Sequence, residues 1–362
     1  MASGTKHKPT LLCIYRRFTL NVCTIIAMND DFVSVVVPNW NGKRYLKDCL
    51  DSLLGQTHKA NIIVVDNGSK DGSLELLKES YPEVEVIALD KNYGFAGGVN
   101  RGITRALEMK SEYVALFNND AVADKDWLKQ LVITANKHPE VGIVTPKLLK
   151  SDKKHLDSTG DWYSVWGLPF PRGRNEVDNG QYEKAEYVMG ASGGASLYRS
   201  TMLKEIGLFD EAFFAYYEDV DLSLRAQLSG WKVYYQPTAL AYHEVGGTST
   251  KLSNFTRFHS VKNINYLFLK NMPLRLFIRY LPRFLLANIF LGAGALKRGK
   301  PHVFAWSYLV MLAHVPTMLI QRHRIQSSRK ISVGAFDSLL FRGMPPPEKS
   351  LRRILGKEHN DG

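Results

Sequence analysis

The chain has 362 residues, 45% of them hydrophobic, which is enough for one large domain with a sizeable core and an appendage. Its formal net charge of +12 is uneven, because residues 251–362 carry 19 Lys and Arg against 4 Asp and Glu, a net of +15 that leaves −3 on residues 1–250. The three cysteines, Cys13, Cys23 and Cys49, have no CxxC spacing, which argues against a disulfide framework and a zinc site and fits a reducing cytoplasm.

The first 30 residues form an N-terminal extension. Its apolar stretch is interrupted by Arg16 and Arg17 and lacks a small-residue cleavage site, so it does not have the pattern of a signal peptide. Two alternatives stay open: the extension belongs to the functional chain, or Met28 is the functional start and the first 27 residues are dispensable.

From residue 31 to about residue 255 the sequence alternates between strand and helix patterns. Apolar, β-branched runs predict strands at 33–37, 61–66, 84–90 and 113–117, and amphipathic segments between them predict helices. Strands buried on both faces and alternating with helices indicate an α/β fold with a mostly parallel sheet.

Each of these four strands ends on polar residues. The ends are Pro38–Asn41, Asp66–Asn67, Asp90–Asn92 and Asn118–Asp120. Ligands of such sheets bind beyond the carboxyl ends of the strands, so these side chains are expected at one binding edge. Asp120 has two interpretations: it caps a helix or turn, or it binds a hard divalent cation through its carboxylate.

Three later segments carry further candidates. GASGGASLYRS, at 190–200, consists of small residues that would let the backbone approach a ligand, or is simply a tight turn. FFAYYEDVDLSLR, at 213–225, places acids in the first turn of a helix, either to complement its dipole or to form an active-site wall. His243 follows another strand and is either structural or a metal ligand together with Asp120.

Taken together, these segments resemble the family-2 glycosyltransferases of the GT-A fold, especially the bacterial rhamnosyltransferase-like members that extend lipid-linked glycans. The resemblance runs from about residue 33 to residue 273. It rests on seven segments in order: VVVPNWNG, VVDNGSKDGS, NYGFAGGVNRG, FNNDAV, GASGGASLYRS, FFAYYEDVDLSLR and YHEVGG. In it NND corresponds to the DxD metal motif of the family, with Asn118 at the first acidic position.

The resemblance implies a nucleoside diphosphate-sugar donor, linked to dTDP or UDP, and a divalent metal, Mg²⁺ or Mn²⁺, held by Asp120 and His243. Asp66 would hydrogen-bond the base or ribose. The implied donor-binding residues are Pro38, Asn39, Asn41, Asp66, Asn67, Asn92, Gly94, Gly97, Asn100, Asn118 and Asn119.

On the acceptor side the resemblance implies Asp219 as the general base, with Glu218 as the second candidate. Gly193 and Gly194 would border the acceptor, and Arg225 would either pair with an acid of its own helix or meet a phosphate of the acceptor. The implied reaction is an inverting single displacement onto a hydroxyl of a lipid-linked or polysaccharide glycan, with rhamnose as the preferred sugar.

Residues 256–335 predict membrane-associating helices. Arg275, Arg279 and Arg283 form one helical stripe within apolar sequence, which is typical of an interfacial amphipathic helix. Residues 301–321 contain no Lys, Arg, Asp or Glu and could span a bilayer, although His302, His314 and Pro316 argue against it. The apolar runs favour a membrane surface over nucleic acid. We therefore expect a peripheral or monotopic enzyme on the cytoplasmic face, followed by a tail at 336–362 that is loosely ordered from Pro345 onward.

Other functions remain as alternatives. A nucleotidyltransferase would also use a carboxylate-bound metal but leaves Asp219 and His243 unexplained. A dinucleotide oxidoreductase is disfavoured because GFAGGVNRG lacks the G-x-G-x-x-G spacing. A catalytically inactive scaffold of a glycan-assembly complex is the non-enzymatic alternative, and the acids at both motifs argue against it.

Overall fold

The computed structural model of the protein describes residues 32–244 and 253–345. The expectations for the N-terminal extension, including the start at Met28, and for most of the tail lie outside these residues.

One large sheet forms the centre of the fold. Its strand order is β10-β12-β6-β11-β4-β1-β2-β3, with β5 added to β12 and β7 to β6, while β8 and β9 form a separate hairpin. The strands are β1 Val33–Asn39, β2 Asn61–Asp66, β3 Glu85–Ala88, β4 Tyr113–Leu116, β5 Ala121–Ala123, β6 Val141–Lys150, β7 Leu156–Ser158, β8 Asp161–Tyr163, β9 Pro169–Pro171, β10 Glu186–Val188, β11 Leu197–Arg199 and β12 Lys232–His243.

The helices cover the sheet and continue beyond it. They are α1 Lys43–Leu54, α2 Ser73–Ser80, α3 Gly94–Glu108, α4 Trp127–Lys137, α5 Ser200–Ile206, α6 Glu218–Leu228, α7 Ser253–Asn271, α8 Leu274–Lys297, α9 Pro301–Ser327 and α10 Val333–Leu339, with a short 3-10 helix at Glu211–Phe213. The α/β GT-A architecture expected from the sequence is confirmed.

The four predicted strands are present and mutually parallel, in the order β3-β2-β1-β4. Val36 of β1 is fully buried, and α3 approaches it through Gly102, where an added Cβ would lie 2.3 Å from a Val36 methyl carbon. The other half of the sheet is mixed, because β11 inserts antiparallel between β4 and β6. The parallel half therefore brings the polar strand ends to one edge, and the mixed half contributes residues from distant parts of the chain.

Helices α7 to α9 pack onto the region around α6 through a shared core. Phe213 and Leu224, from the region before and within α6, lie in one apolar cluster with Phe268 of α7 and Phe284 of α8. The rings of Phe268 and Phe284 stack with centroids 4.0 Å apart. The C-terminal helices thus complete the core beneath the acidic helix α6.

Two of these helices also present apolar surface to the outside. Helices α8 and α9 are long and apolar enough to cross a membrane. Within the most apolar 18-residue stretch of each helix, only 28% and 17%, respectively, is buried inside the protein. The predicted apolar segment at 301–321 lies within α9, which continues through Pro316 to Ser327. The exposed side chains include Leu285, Leu286, Ile289, Leu296, Trp306, Leu309 and Leu312.

Candidate active site

The structure brings Asp120 and His243 into direct contact. Strand β12 pairs antiparallel with β5 so that His243 lies opposite Ala121, next to Asp120 in sequence. Asp120 Oδ1 is 3.1 Å from His243 Nε2, and Asn118 Nδ2 is 3.2 Å from the same nitrogen. Two segments separated by more than a hundred residues therefore form one small polar cluster.

Asp157 also belongs to this cluster, although no sequence pattern pointed to it. It lies on β7, is 1% exposed, and its Oδ2 is 2.9 Å from His243 Nδ1, while Arg174 Nη2 is 2.8 Å from its Oδ1. Burial would lower the pKa of His243, but the hydrogen bonds and charges of Asp120 and Asp157 outweigh it and raise this pKa to about 10. In this state the imidazolium is shared between the two carboxylates.

The Asp120–His243 pair fits two ligands of a divalent metal. Among the described residues no group of three or more His, Cys, Asp or Glu has the arrangement of a complete metal site. However, adjacent ligands of octahedral Mg²⁺, each at about 2.1 Å, lie roughly 3.0 Å apart, close to the observed 3.1 Å. Asp157 contacts Nδ1, so Nε2 is the ring nitrogen that would remain for a metal, an arrangement common for metal-binding histidines.

The glycine turn at 193–194 connects this cluster to the acidic helix. Gly194 O accepts a hydrogen bond from Asn118 N at 2.8 Å, and Gly193 N donates to Asp219 Oδ2 at 2.9 Å. A Cβ on Gly194 would lie 3.2 Å from Asn118 Nδ2, and one on Gly193 would lie 3.3 Å from Asp219 Cβ. Small residues are needed because the turn is packed between both motifs.

Glu218 and Asp219 differ sharply in environment. Glu218 is 6% exposed, its Oε2 has no hydrogen-bond partner among the described residues, and burial followed by the charge of Asp219 raises its pKa well above the usual value. Asp219 is half-buried. Burial raises its pKa too, while the amides of Gly193 and Val220 oppose the shift. Asp219 is therefore the more exposed of the two acids and the one whose carboxylate oxygens accept hydrogen bonds from backbone amides.

The loop before these acids adopts a strained backbone. Phe214, Tyr216 and Tyr217 have φ values of 64°, 71° and 68°, a left-handed region that aromatic residues seldom occupy. Asn263 of α7 holds the loop, since its Nδ2 lies 2.7–3.0 Å from the carbonyl oxygens of Phe213, Ala215 and Tyr216. Helix α7 thus fixes the backbone that presents Asp219.

Asp221 and Arg225 belong to the interior of the protein. Arg225 Nε donates to Asp221 Oδ2 at 2.9 Å, and Lys270 Nζ contacts the same oxygen at 2.9 Å. The remaining guanidinium nitrogens of Arg225 donate to backbone carbonyls at 206–208. Of the two roles expected for Arg225, the structure has the pairing within its own helix, and the side chain does not reach an acceptor surface because all three nitrogens are engaged inside.

A second polar network joins the first two strand ends to the NND motif. Asn39 Nδ2 donates to Asp66 Oδ2 at 2.9 Å and Asn119 Nδ2 donates to Asn39 Oδ1 at 2.7 Å. Ser69, which the sequence analysis did not single out, donates its N–H to Asp66 Oδ1 and accepts from Asn41 N. Asp66 is fully buried, so its carboxylate organises this edge from beneath.

The remaining predicted donor residues, apart from Pro38, lie near or within the first half of α3. Asn67 Nδ2 donates to Gly94 O at 2.8 Å and lies 3.2 Å from Asn92 Oδ1. Gly97 packs against Tyr93, where an added Cβ would lie 2.8 Å from the Tyr93 Cβ. Asn100 bonds with both backbone groups of Phe209 and is directed into the protein. Pro38 is half-buried at the end of β1.

This architecture defines a glycosyltransferase with a GT-A fold. The chain belongs to the glycosyltransferase-like family 2, whose family model matches residues 30–259.

Curated relatives support the same class. The chain is 28% identical over 233 residues to the N-acetylglucosaminyl-diphospho-decaprenol L-rhamnosyltransferase of Mycobacterium tuberculosis, covering 59% of this chain and 76% of that protein. It is 27% identical over 265 residues to the dTDP-rhamnosyl transferase RfbF of Shigella flexneri, covering 70% and 85%.

Solved structures share the fold. GalNAc-T7 with UDP, GalNAc and Mn²⁺ superposes with a TM-score of 0.56 at 16% identity, covering 80% of this chain and 58% of that one. TarS 1–349 of S. aureus in complex with UDP-GlcNAc has a TM-score of 0.50 at 17% identity, covering 82% and 91%. These two structures show the fold alone, and the assignment as a glycosyltransferase rests on the family model and the curated relatives.

Proposed function

We propose that the enzyme moves a sugar, with rhamnose preferred, from a dTDP- or UDP-linked donor to a hydroxyl of a lipid-linked glycan. One observation carries this proposal: the Gly193–Gly194 turn is bonded both to Asn118, beside the Asp120–His243 pair, and to Asp219. The same turn would thereby hold together a site for the donor diphosphate and a site for acceptor deprotonation.

The choice of sugar and acceptor follows the relatives. Two of them are rhamnosyltransferases by name, one acting on N-acetylglucosaminyl-diphospho-decaprenol and one using dTDP-rhamnose. The donor nucleotide would lie at the edge formed by Pro38, Asn39 and Asn41, above buried Asp66. Asn67 and Asn92 would shape the side of this pocket next to α3.

Asp120 Oδ1 and His243 Nε2 would hold Mg²⁺ or Mn²⁺. The metal would supply positive charge against the donor diphosphate, which stabilises the nucleoside diphosphate as a leaving group. His243 must lose its Nε2 proton to serve as a ligand, so metal and proton compete for this nitrogen. Asp157 would keep Nδ1 protonated and the ring oriented throughout.

Asp219 would act as the general base. The acceptor hydroxyl loses its proton to Asp219 Oδ2 or Oδ1, its oxygen forms a bond to the anomeric carbon, and the bond from that carbon to the diphosphate oxygen breaks. Attack from the face opposite the nucleotide inverts the anomeric configuration. Glu218 is the weaker candidate because its carboxyl group is buried, whereas that of Asp219 is half-buried, and because burial and the charge of Asp219 raise the pKa of Glu218 well above its usual range.

The exposed apolar faces of α8 and α9 favour a peripheral or monotopic position on the cytoplasmic side of a membrane. There the acceptor lipid would stay in the bilayer while its glycan reaches Asp219. The shared core beneath α6 means that the membrane-facing helices and the catalytic helix would move as one unit.

A donor screen tests the proposal. Purified full-length protein is incubated with dTDP-rhamnose, UDP-GlcNAc or other nucleotide sugars and a polyprenyl-diphosphate-linked acceptor, and the product mass is measured with and without EDTA. We expect mass addition of one sugar, released nucleoside diphosphate, and loss of both in EDTA. Full transfer in EDTA would contradict the metal role.

The same screen separates the alternatives. Release of inorganic diphosphate from a nucleoside triphosphate and a sugar phosphate would show a nucleotidyltransferase. Donor binding by calorimetry without any transfer, across donors and acceptors, would favour the inactive scaffold.

A further inference from the structure

A basic groove lies at the junction of the first turn of α8, the last turns of α9 and the start of α10. Its residues are distant in sequence from Asp120 and His243. Its volume is about 380 Å³, and its lining includes Arg275, Arg322, His323 and Arg329 together with Leu274 and Leu319. Three arginines from two helices and the segment after them thus meet around one concave surface.

These cations are not neutralised by the protein. Within residues 32–244 and 253–345, Arg275, Arg322 and Arg329 form no ion pair. Two acids of other elements are already engaged, because Asp337 contacts Arg342 and Glu205 contacts Lys330. The groove therefore carries uncompensated positive charge, which favours an anionic ligand.

Arg322 is positioned in advance for such a ligand. Its Nη1 donates to Leu269 O at 2.7 Å, and its guanidinium lies 5.1 Å from the ring centroid of Phe277. Its Nη2 is buried and has no hydrogen-bond partner in the described part of the chain. A buried donor without a partner is costly, and an oxyanion that reached Nη2 from the groove would remove that cost.

The surroundings of the groove are apolar. Leu274, Ile278, Leu319 and Ile320 on the same ends of α8 and α9 are 65%, 63%, 49% and 56% exposed. A water-soluble anion would leave these apolar side chains exposed to water. A lipid would match both features, because its phosphate is charged and its chains are apolar.

We propose that the groove binds the phosphate headgroup of an anionic membrane lipid, with the lipid chains lying along the exposed leucines and isoleucines of α8 and α9. This deepens the membrane association proposed above by assigning it a specific headgroup site. Arg322 anchors the phosphate, and Arg275 and Arg329 close over it from either side.

The test compares two charge-matched double variants of the full-length protein in vesicle co-sedimentation. Arg275→Gln/Arg329→Gln removes two groove charges, whereas Arg283→Gln/Arg324→Gln removes two exposed charges from the same helices outside the groove. With phosphatidylcholine vesicles containing phosphatidylglycerol, we expect the groove variant to lose about tenfold more affinity than the control variant. Thermal unfolding checks that both variants are folded.

Non-specific attraction would weaken both variants equally, and that result would overturn the proposal. Inorganic phosphate and glycerol 3-phosphate serve as soluble probes in calorimetry. If either binds the groove as tightly as the lipid vesicles do, and the groove variant loses that binding, the ligand is a free phosphate compound and the lipid assignment is wrong. No sugar nucleotide is present, so the result is independent of the transfer reaction.

Discussion

The polar edge of the sheet and the C-terminal helices differ in where the partners of their charged side chains lie. At the sheet edge nearly every site side chain has a partner inside the protein, as in the chain Asp120–His243–Asp157–Arg174. At the ends of α8 and α9, arginines and apolar side chains face outward, and their binding partners must come from outside the chain. Single changes should therefore alter chemistry at the first region and association at the second.

The largest effect is expected from Asp120→Ala. Loss of a metal ligand removes several kcal/mol of charge stabilisation in the transition state, so transfer should fall about 10³-fold or more. Steady-state rates with the best donor measure it, and thermal unfolding shows whether the variant, which lacks the carboxylate paired with His243, remains folded. Asp48→Ala, an exposed acid on α1, is the matched control and should keep full activity.

Asp157→Asn should have the next largest effect. The variant weakens the hold on His243 Nδ1 and breaks the ion pair with Arg174, and such supporting residues typically contribute about 10–100-fold to metal affinity or activity. The concentration of Mn²⁺ for half-maximal activity should rise. Asp178→Asn, which breaks a comparable contact with Lys147, should leave that concentration unchanged. If the Mn²⁺ concentration for half-maximal activity is the same in Asp157→Asn as in the wild type, Asp157 is a packing residue without a role in metal binding.

The junction between the two regions should respond to acid through His259. This ring stacks on Phe214, and burial together with the charge of Lys262 lowers its pKa to about 4, against about 6.5 when unfolded. Because the unfolded state binds the proton more readily, the stability contributed by neutral His259 is complete above pH 6.5. It is lost as the pH falls towards 4, by at most about 1.4 kcal/mol per pH unit.

Urea unfolding at pH 7.5 and pH 5.5 measures this difference. His259→Phe keeps a stacking ring and removes the titrating group, so the variant should show a smaller loss of stability on acidification than the wild type. Equal losses in both proteins would exclude His259 as the source.

The smallest effect on the enzyme itself is expected from Arg283→Gln. Arg283 is exposed on α8, and surface substitutions of this kind usually change stability by no more than about 0.5 kcal/mol. Transfer to a soluble acceptor analogue should be unchanged, while binding to anionic vesicles should weaken by about fivefold, corresponding to roughly 1 kcal/mol. A large loss of transfer in solution would remove the contrast between the two regions.

The sequence predicts the parallel half of the sheet well because β1, β2 and β4 are continuous buried runs whose polar ends mark the binding edge. The contact between Asp120 and His243 stayed one of two alternatives in the sequence and was favoured by family resemblance, since it depends on the pairing of β5 with β12. Asp157 could not be expected at all. It lies on a three-residue strand without a distinctive pattern, and only the folded chain brings it to His243.

Two other features of the structure could not be predicted from the sequence, for physical reasons. The left-handed backbone of Phe214, Tyr216 and Tyr217 contradicts local preference and is imposed by Asn263 from α7. The continuation of α9 through Pro316 is stabilised by its packing on α7, which local sequence signals do not report. In both cases tertiary contacts override the local preference of the residues.

The central claim is that Asp219 is the base, and single-turnover transfer by Asp219→Asn and Glu218→Gln tests it most directly. We predict that Asp219→Asn lowers the rate about 10²–10⁴-fold while the dissociation constant of the donor stays within about twofold of wild type. Glu218→Gln should retain most of the rate, because that carboxyl group is buried and its pKa is raised well above the usual range by burial and by the charge of Asp219. Near wild-type turnover in Asp219→Asn together with an inactive Glu218→Gln would contradict the account.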